Sequence, residues 1–194
     1  MNLNKNYSAN FYFFTNDIDE SISKNIIKFK NIALIYEDSN FKTEKLIKIK
    51  KFCNQCNIKF YIIDNFIAAI KYKLDGVILS NKNNRVCYFN NPLNNKKNFE
   101  IIGKVHNQRD FFFKTKQNCN RIILSPIFKN NKYTVNKILD IQKFNLLSLN
   151  WNKKIIALGG INASNLRRIR STKSSAVGFI SFINDRKIKK PVYF

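Results

Sequence analysis

Eight short apolar runs, each followed by a helical or loop-like stretch, organise this sequence from one end to the other. The runs are Phe11–Thr15, Ile32–Tyr36, Phe60–Ile63, Gly76–Leu79, Glu100–Gly103, Arg121–Leu124, Ile155–Leu158 and Val177–Ile180. Runs this short and this apolar mark strands covered on both faces, the habit of parallel sheets. Helical spacing is expected over Ile22–Phe29, Thr43–Asn57, Phe66–Leu74, Arg109–Gln117, Val135–Ser148 and Asn165–Arg170. The second of these is the clearest, with Leu46, Ile49, Lys50 and Cys53 in step. Asn81–Asn98 is Asn-rich and weakly patterned, so the fourth helix is expected to be short or replaced by a loop. Alternating strand–helix units demand a parallel sheet, and eight of them close a ring. The expected fold is therefore α/β, a (β/α)8 TIM barrel forming a single small domain over residues 1–194.

Length agrees with one domain, because chains begin to split beyond about 250 residues. No stretch approaches the roughly 20 apolar residues needed to span a bilayer. Met1–Asn10 is polar and lacks the apolar centre of a signal peptide. Four cysteines without such a signal point to reduced thiols and a cytoplasmic location. Cys53-Asn54-Gln55-Cys56 has no second cysteine pair to complete a metal site, and it lies inside a helical pattern.

Charge is the extreme property: 35 Lys+Arg stand against 12 Asp+Glu, a net +23. Such a field attracts polyanions, which makes a basic nucleic-acid-binding protein the outside alternative. The cations are scattered rather than gathered into an arm or stripe, and Lys, Asn and Ile are abundant together, as A+T-rich coding DNA would produce. Phosphorylated small molecules would be served by the same field.

All five glycines fall at strand boundaries. The most informative place is Ile155-Ile156-Ala157-Leu158-Gly159-Gly160-Ile161-Asn162, an apolar strand that ends in two residues without Cβ. Paired glycines let backbone N–H groups approach an anion, and a following helix would add its positive end. Loops after strands seven and eight of such barrels often form a phosphate site. Asn162-Ala163-Ser164-Asn165 supplies capping side chains, and Ser181 beyond the eighth strand would add a hydroxyl donor.

Six segments in order resemble the thiamine phosphate synthase/TenI family over nearly the whole chain. They are Phe11–Asn16, Phe60–Asn65 with Leu74–Leu79, Ile101-Ile102-Gly103 followed by His106, Ser125-Pro126-Ile127-Phe128, Ala157–Ile161, and Phe179-Ile180-Ser181. The resemblance implies a transferase that joins a pyrimidine pyrophosphate to a thiazole phosphate and releases pyrophosphate. It implies Mg2+ as cofactor, with Asp64 and Asn83 at the metal positions. Gly159, Gly160, Ile180 and Ser181 would hold the thiazole phosphate, while Ser125, Lys129, Asn130 and Lys132 would face the substrates and pyrophosphate. Members are often homo-oligomers. TenI-type members are thiazole tautomerases in which a histidine moves protons, and His106 is the matching residue and the only histidine. A catalytically inactive thiazole-phosphate-binding protein is the remaining alternative.

The chain departs from the family pattern at several places. Ile63 and Asn65 flank Asp64 where the motif has Asn and Arg. The second metal aspartate is Asn83, and hard cations prefer carboxylates. The QxRxK stretch that grips pyrophosphate after strand two should lie within Leu34–Asn40, which holds no Gln, Arg or Lys and offers Glu37 and Asp38 instead.

Overall fold

A computed structural model describes residues 8–85, 99–130 and 134–180 of the chain. Eight parallel strands close into a barrel in chain order. They are β1 (Phe11–Thr15), β2 (Ile32–Tyr36), β3 (Lys59–Ile63), β4 (Gly76–Leu79), β5 (Glu100–Val105), β6 (Arg121–Leu124), β7 (Lys154–Ala157) and β8 (Ala176–Phe179). The helices are α1 (Glu20–Ile26), α2 (Thr43–Gln55), α3 (Phe66–Lys71), α4 (Gln108–Lys116) and α5 (Asp140–Ser148). Stepping from strand to strand through Phe11↔Ile32, Ala33↔Lys59, Tyr61↔Gly76, Gly76↔Glu100, Ile102↔Arg121, Arg121↔Lys154, Ile156↔Ala176 and Val177↔Phe11 returns to β1 displaced by eight residues. That displacement is the shear of a (β/α)8 barrel.

Strand alternation sorts the apolar residues into two layers. Tyr12, Phe14, Ile35, Tyr61, Ile102 and Ile156 are among those that fill the barrel interior. Phe11, Phe13, Leu34, Phe60, Val77 and Ile122 point outward to meet Leu46, Ile49, Phe111 and Phe144 of the helices. At the N-terminal end the interior closes on charge rather than on carbon. Glu100 bonds Lys59 Nζ at 2.8 Å and Arg121 Nε at 3.1 Å, all three largely buried. Oε1 accepts the Lys59 hydrogen bond, while Oε2 faces the Arg121 charge without making a hydrogen bond, so pairing with two cations is what makes such burial tolerable.

Three expectations are corrected. The segment expected to be one helix over Val135–Ser148 is a 3-10 turn at Val135–Lys137 followed by α5 from Asp140. Leu139 and Asp140 donate their N–H groups to the carbonyls of Pro126 and Ile127, and Asp140 takes φ 49°. Those long-range bonds replace the local ones a continuous helix needs. Asn165–Arg170 is not an α-helix but a six-residue 3-10 turn over Leu166–Ser171, so no macrodipole of a full helix stands behind the glycine pair. β5 runs on past Gly103 through Val105. Residues 80–85 after β4 are not helical, and the rest of the Asn-rich connection lies outside the described residues. No helix among the described residues is long and apolar enough to cross a membrane.

Candidate functional site

The turn after β7 is shaped by two left-handed residues, Gly159 at φ 97° and Gly160 at φ 69°. A Cβ on Gly160 would lie 2.4 Å from the Phe128 carbonyl oxygen and 2.5 Å from that of Lys129. The glycines thus admit the loop after β6, which pairs with them through Ile127 N–H to Leu158 O and Phe128 N–H to Gly159 O, both 3.0 Å. Asn165 Nδ2 donates to Gly160 O at 2.7 Å and fixes the peptide plane. The N–H groups of Gly160 and Ile161 make no hydrogen bond among the described residues. Two adjacent unspent donors on a left-handed turn form an anion-binding concavity. Beside it opens a cleft of about 680 Å³ lined by Phe128, Lys129, Lys143, Asn162, Asn165 and Arg168. Asn130 Nδ2 comes within 3.6 Å of the position of a Gly159 Cβ. Gly159, Gly160, Lys129 and Asn130 are therefore neighbours, and Ile180, half exposed, directly follows β8. Ser181 and Lys132 lie outside the described residues.

His106 follows β5 and is gripped by the start of the β6 loop. Its Nδ1 lies 2.6 Å from the Ser125 carbonyl oxygen and 3.2 Å from Ser125 Oγ. A carbonyl only accepts, so Nδ1 carries a proton. The backbone N–H of His106 donates to Asp110 Oδ2 at 2.8 Å, while Asn107 Oδ1 caps α4 by accepting from the Asp110 N–H. Ring, backbone and helix cap are locked as one unit. His106 and Ser125, expected in separate roles, lie within hydrogen-bond distance of each other.

Asp64 and Asn83 also meet, but through a hydrogen bond. Asp64 Oδ1 accepts from Ser80 N–H at 2.9 Å and from Asn83 Nδ2 at 3.0 Å. No group of three or more His, Cys, Asp or Glu able to hold a metal occurs among the described residues. One carboxylate with an oxygen already taken by two N–H donors does not fit Mg2+, which demands a near-octahedral oxygen shell. Asn83→Asp should restore a carboxylate pair. Mn2+ binding, followed by its paramagnetic resonance signal, should then tighten by about tenfold or more relative to wild type, because two close carboxylates need a cation. Equal Mn2+ binding by the two proteins would show that the amide contributes nothing to the misfit.

The residue that builds this corner was invisible in the sequence. Lys114 of α4 is fully buried, its stem lying 2.7 Å from where a Gly103 Cβ would be. Its ammonium donates to Ser80 O at 2.7 Å, Asn83 O at 2.8 Å and Gln117 Oε1 at 2.9 Å. Gln117 Nε2 adds bonds to Asn83 O and Arg85 O. Burial pulls the Lys114 pKa below its ordinary value of 10.5. A lysine between phenylalanines and a threonine reads as solvated, and only the groove over Gly103 reveals otherwise.

Elsewhere on the same rim, beyond β1, Asp17 is bound by Lys45 at 3.2 Å and Lys48 at 3.0 Å, and the Lys48 bond above all holds its pKa down at about 2. Asp38 accepts from the Tyr36 hydroxyl and the Asn40 N–H. Glu37 instead reaches across to Lys104 of β5, 2.7 Å away.

A closed parallel barrel of eight strands, with a left-handed double-glycine turn beyond its seventh, defines a (β/α)8 protein. The chain belongs to the thiamine monophosphate synthase family, whose sequence profile, described as "Thiamine monophosphate synthase", matches residues 26–183. It is 29% identical over 137 residues to the thiamine-phosphate synthase of Prochlorococcus marinus, a match covering 70% of this chain and 39% of that protein. It is 27% identical over 191 residues to the thiamine-phosphate synthase of Pelagibacter ubique, covering 97% of this chain and 89% of the relative. Among solved structures, the thiamine phosphate pyrophosphorylase of Pyrococcus furiosus superposes with a TM-score of 0.69 at 16% identity, over 91% of this chain and 87% of that one. At that identity the superposition speaks for the barrel alone.

Proposed function

We propose that this chain joins a pyrimidine pyrophosphate to a thiazole phosphate and releases inorganic pyrophosphate. The observation that carries the reading is the pair of unspent N–H donors at Gly160 and Ile161 on the left-handed Gly159-Gly160 turn, in a chain of this family. In this reading the thiazole phosphate sits on those donors, helped by Ser181 and bordered by Ile180. Ser125, Lys129, Asn130 and Lys132 face the pyrimidine and its pyrophosphate. The C–O bond between the pyrimidine methylene and the pyrophosphate breaks, and its electron pair leaves with the pyrophosphate. The lone pair of the thiazole nitrogen then forms the new C–N bond, so no external acid, base or oxidant is required. Fixed positive charge and oriented N–H groups stabilise the departing anion. No step is assigned to Asp64 and Asn83 as metal ligands.

The test is release of pyrophosphate from the two precursors by purified protein, with Mg2+ in the buffer as the counter-ion of the nucleofuge. Multiple turnovers are expected. A well-folded protein that binds the thiazole phosphate yet releases nothing would remove the transferase reading and leave tautomerisation or ligand binding.

One observation favours a second activity on the same ligand. His106, its ring oriented by the Nδ1–H bond to Ser125 O at the end of β5, is placed as an acid–base group for thiazole tautomerisation. His106→Asn should then slow interconversion of the thiazole tautomers by about a hundredfold or more, the usual worth of a positioned acid–base group, with ligand affinity retained. Unchanged interconversion would assign His106 to holding the β6 loop.

A further inference from the structure

We infer that Lys104 is the cation that takes the leaving pyrophosphate, and that Glu37 holds it across the barrel mouth until the anion arrives. The inference rests on the transferase reading above and supplies the charge that the turn after β2 lacks.

Placement comes first. Ile102 belongs to the barrel interior, so Lys104, two residues further along the same strand, leaves β5 on the inward side at the C-terminal end. Its ammonium lies over the Phe14 ring, 4.7 Å from the centroid, and 2.7 Å from Glu37 Oε1. The bond joins β5 to the end of β2 and therefore spans the mouth. The two ends differ in environment, for the Lys104 side chain is 15% exposed and that of Glu37 is 43% exposed.

Charge comes second. The family's basic pyrophosphate grip after the second strand is here Leu34–Asn40, without a single cation. Lys45 and Lys48 on that side are committed to Asp17. Asp64 offers no carboxylate pair to a metal. The turn after β2 therefore adds no cation to Lys129 and Lys132, and Lys104 is aimed over the floor of the mouth.

The physics of the exchange is favourable. A half-exposed ion pair is weak, and a multiply charged pyrophosphate is a stronger partner for an ammonium than one carboxylate. Lysine suits the move because its compact charge rides on a flexible stem. Glu37, left behind, faces water at its exposed end. No bond other than hydrogen bonds and ion pairs changes, so the exchange reverses when pyrophosphate departs.

The probe is inorganic pyrophosphate alone, titrated calorimetrically into the full chain at fixed salt. Lys104→Met should weaken binding by about tenfold or more, the loss of one charge-assisted hydrogen bond. Glu37→Gln should tighten it severalfold, because the competitor for the ammonium is neutralised. A purely structural ion pair would move both variants in the same, weaker direction. Circular dichroism of both variants confirms that the barrel is intact. Pyrophosphate binding unchanged in Lys104→Met, or not tightened in Glu37→Gln, overturns the assignment while leaving the transferase reading standing. Failure of the wild-type chain to bind pyrophosphate at all overturns both.

Discussion

Gly160→Ala should lower the unfolding free energy by about 3–4 kcal/mol and abolish stabilisation by the thiazole phosphate. Two costs combine. A side chain at φ 69° carries a left-handed penalty of roughly 1–2 kcal/mol. The new Cβ, at 2.4 and 2.5 Å from two carbonyl oxygens of the β6 loop, must push backbone aside, which costs about 1–3 kcal/mol. At roughly 2–4 °C per kcal/mol for a domain of this size, the melting temperature should fall by about 10 °C. Gly178→Ala is the control. Its Cβ would come to 3.0 Å from the Leu158 Cδ1, a side-chain atom that can yield, and no unusual φ is involved, so about 1 kcal/mol or less is expected. In wild type, ligand at a hundred times its dissociation constant should add about 2.7 kcal/mol of stability. In Gly160→Ala the displaced loop spoils the donor geometry, and this increment should vanish. Thermal unfolding with and without the thiazole phosphate reads both effects. Equal melting of Gly160→Ala and Gly178→Ala would mean the turn is slack and not a built cradle.

The barrel was legible because its strands are buried on both faces. Ile32–Tyr36, Gly76–Leu79 and Arg121–Leu124 are bounded in the structure as their apolar runs predict, since in a parallel ring the outer and inner layers both demand hydrophobic residues. The glycine pair was legible for the opposite reason, because its residues are tolerated for what they lack. What escaped is long-range. Lys104 breaks the apolar pattern, so the sequence pattern ends β5 at Gly103, and no local signal tells that Phe14 and Glu37 wait across the mouth. Asp140 sits in a helix-like stretch whose bonding partners, Pro126 and Ile127, are more than ten residues away. The Asp64–Asn83 pairing was anticipated as a shared site, but its amide-to-carboxylate bond emerges only once α4 fixes the connecting loop.

That fixing is the subject of the second large effect. Lys114→Met keeps most of the stem volume over Gly103 and deletes the ammonium. The Gln117 Oε1 loses its donor, at roughly 1–3 kcal/mol for a buried group left unsatisfied, while the Ser80 carbonyl keeps the Asn83 N–H but loses its tie to α4. Relief from burying a charge offsets part of this, so a net loss of about 1–2 kcal/mol is expected. The damage should be local before it is global. Amide exchange at Ser80, whose N–H bonds Asp64, should accelerate more than exchange in β2 or β6, because the loop loses a tether that no strand supplies. The pH dependence gives an independent sign. Burial lowers the Lys114 pKa in the fold below 10.5, so the unfolded chain binds that proton more tightly. Wild-type stability gains from this group as pH rises through the interval below 10.5. The methionine variant lacks that gain, so the difference in stability between the two should widen from neutral pH toward pH 10. Denaturant titrations at both pH values measure it. A gap that narrows instead would place the Lys114 ammonium in water and release the β4 loop from α4.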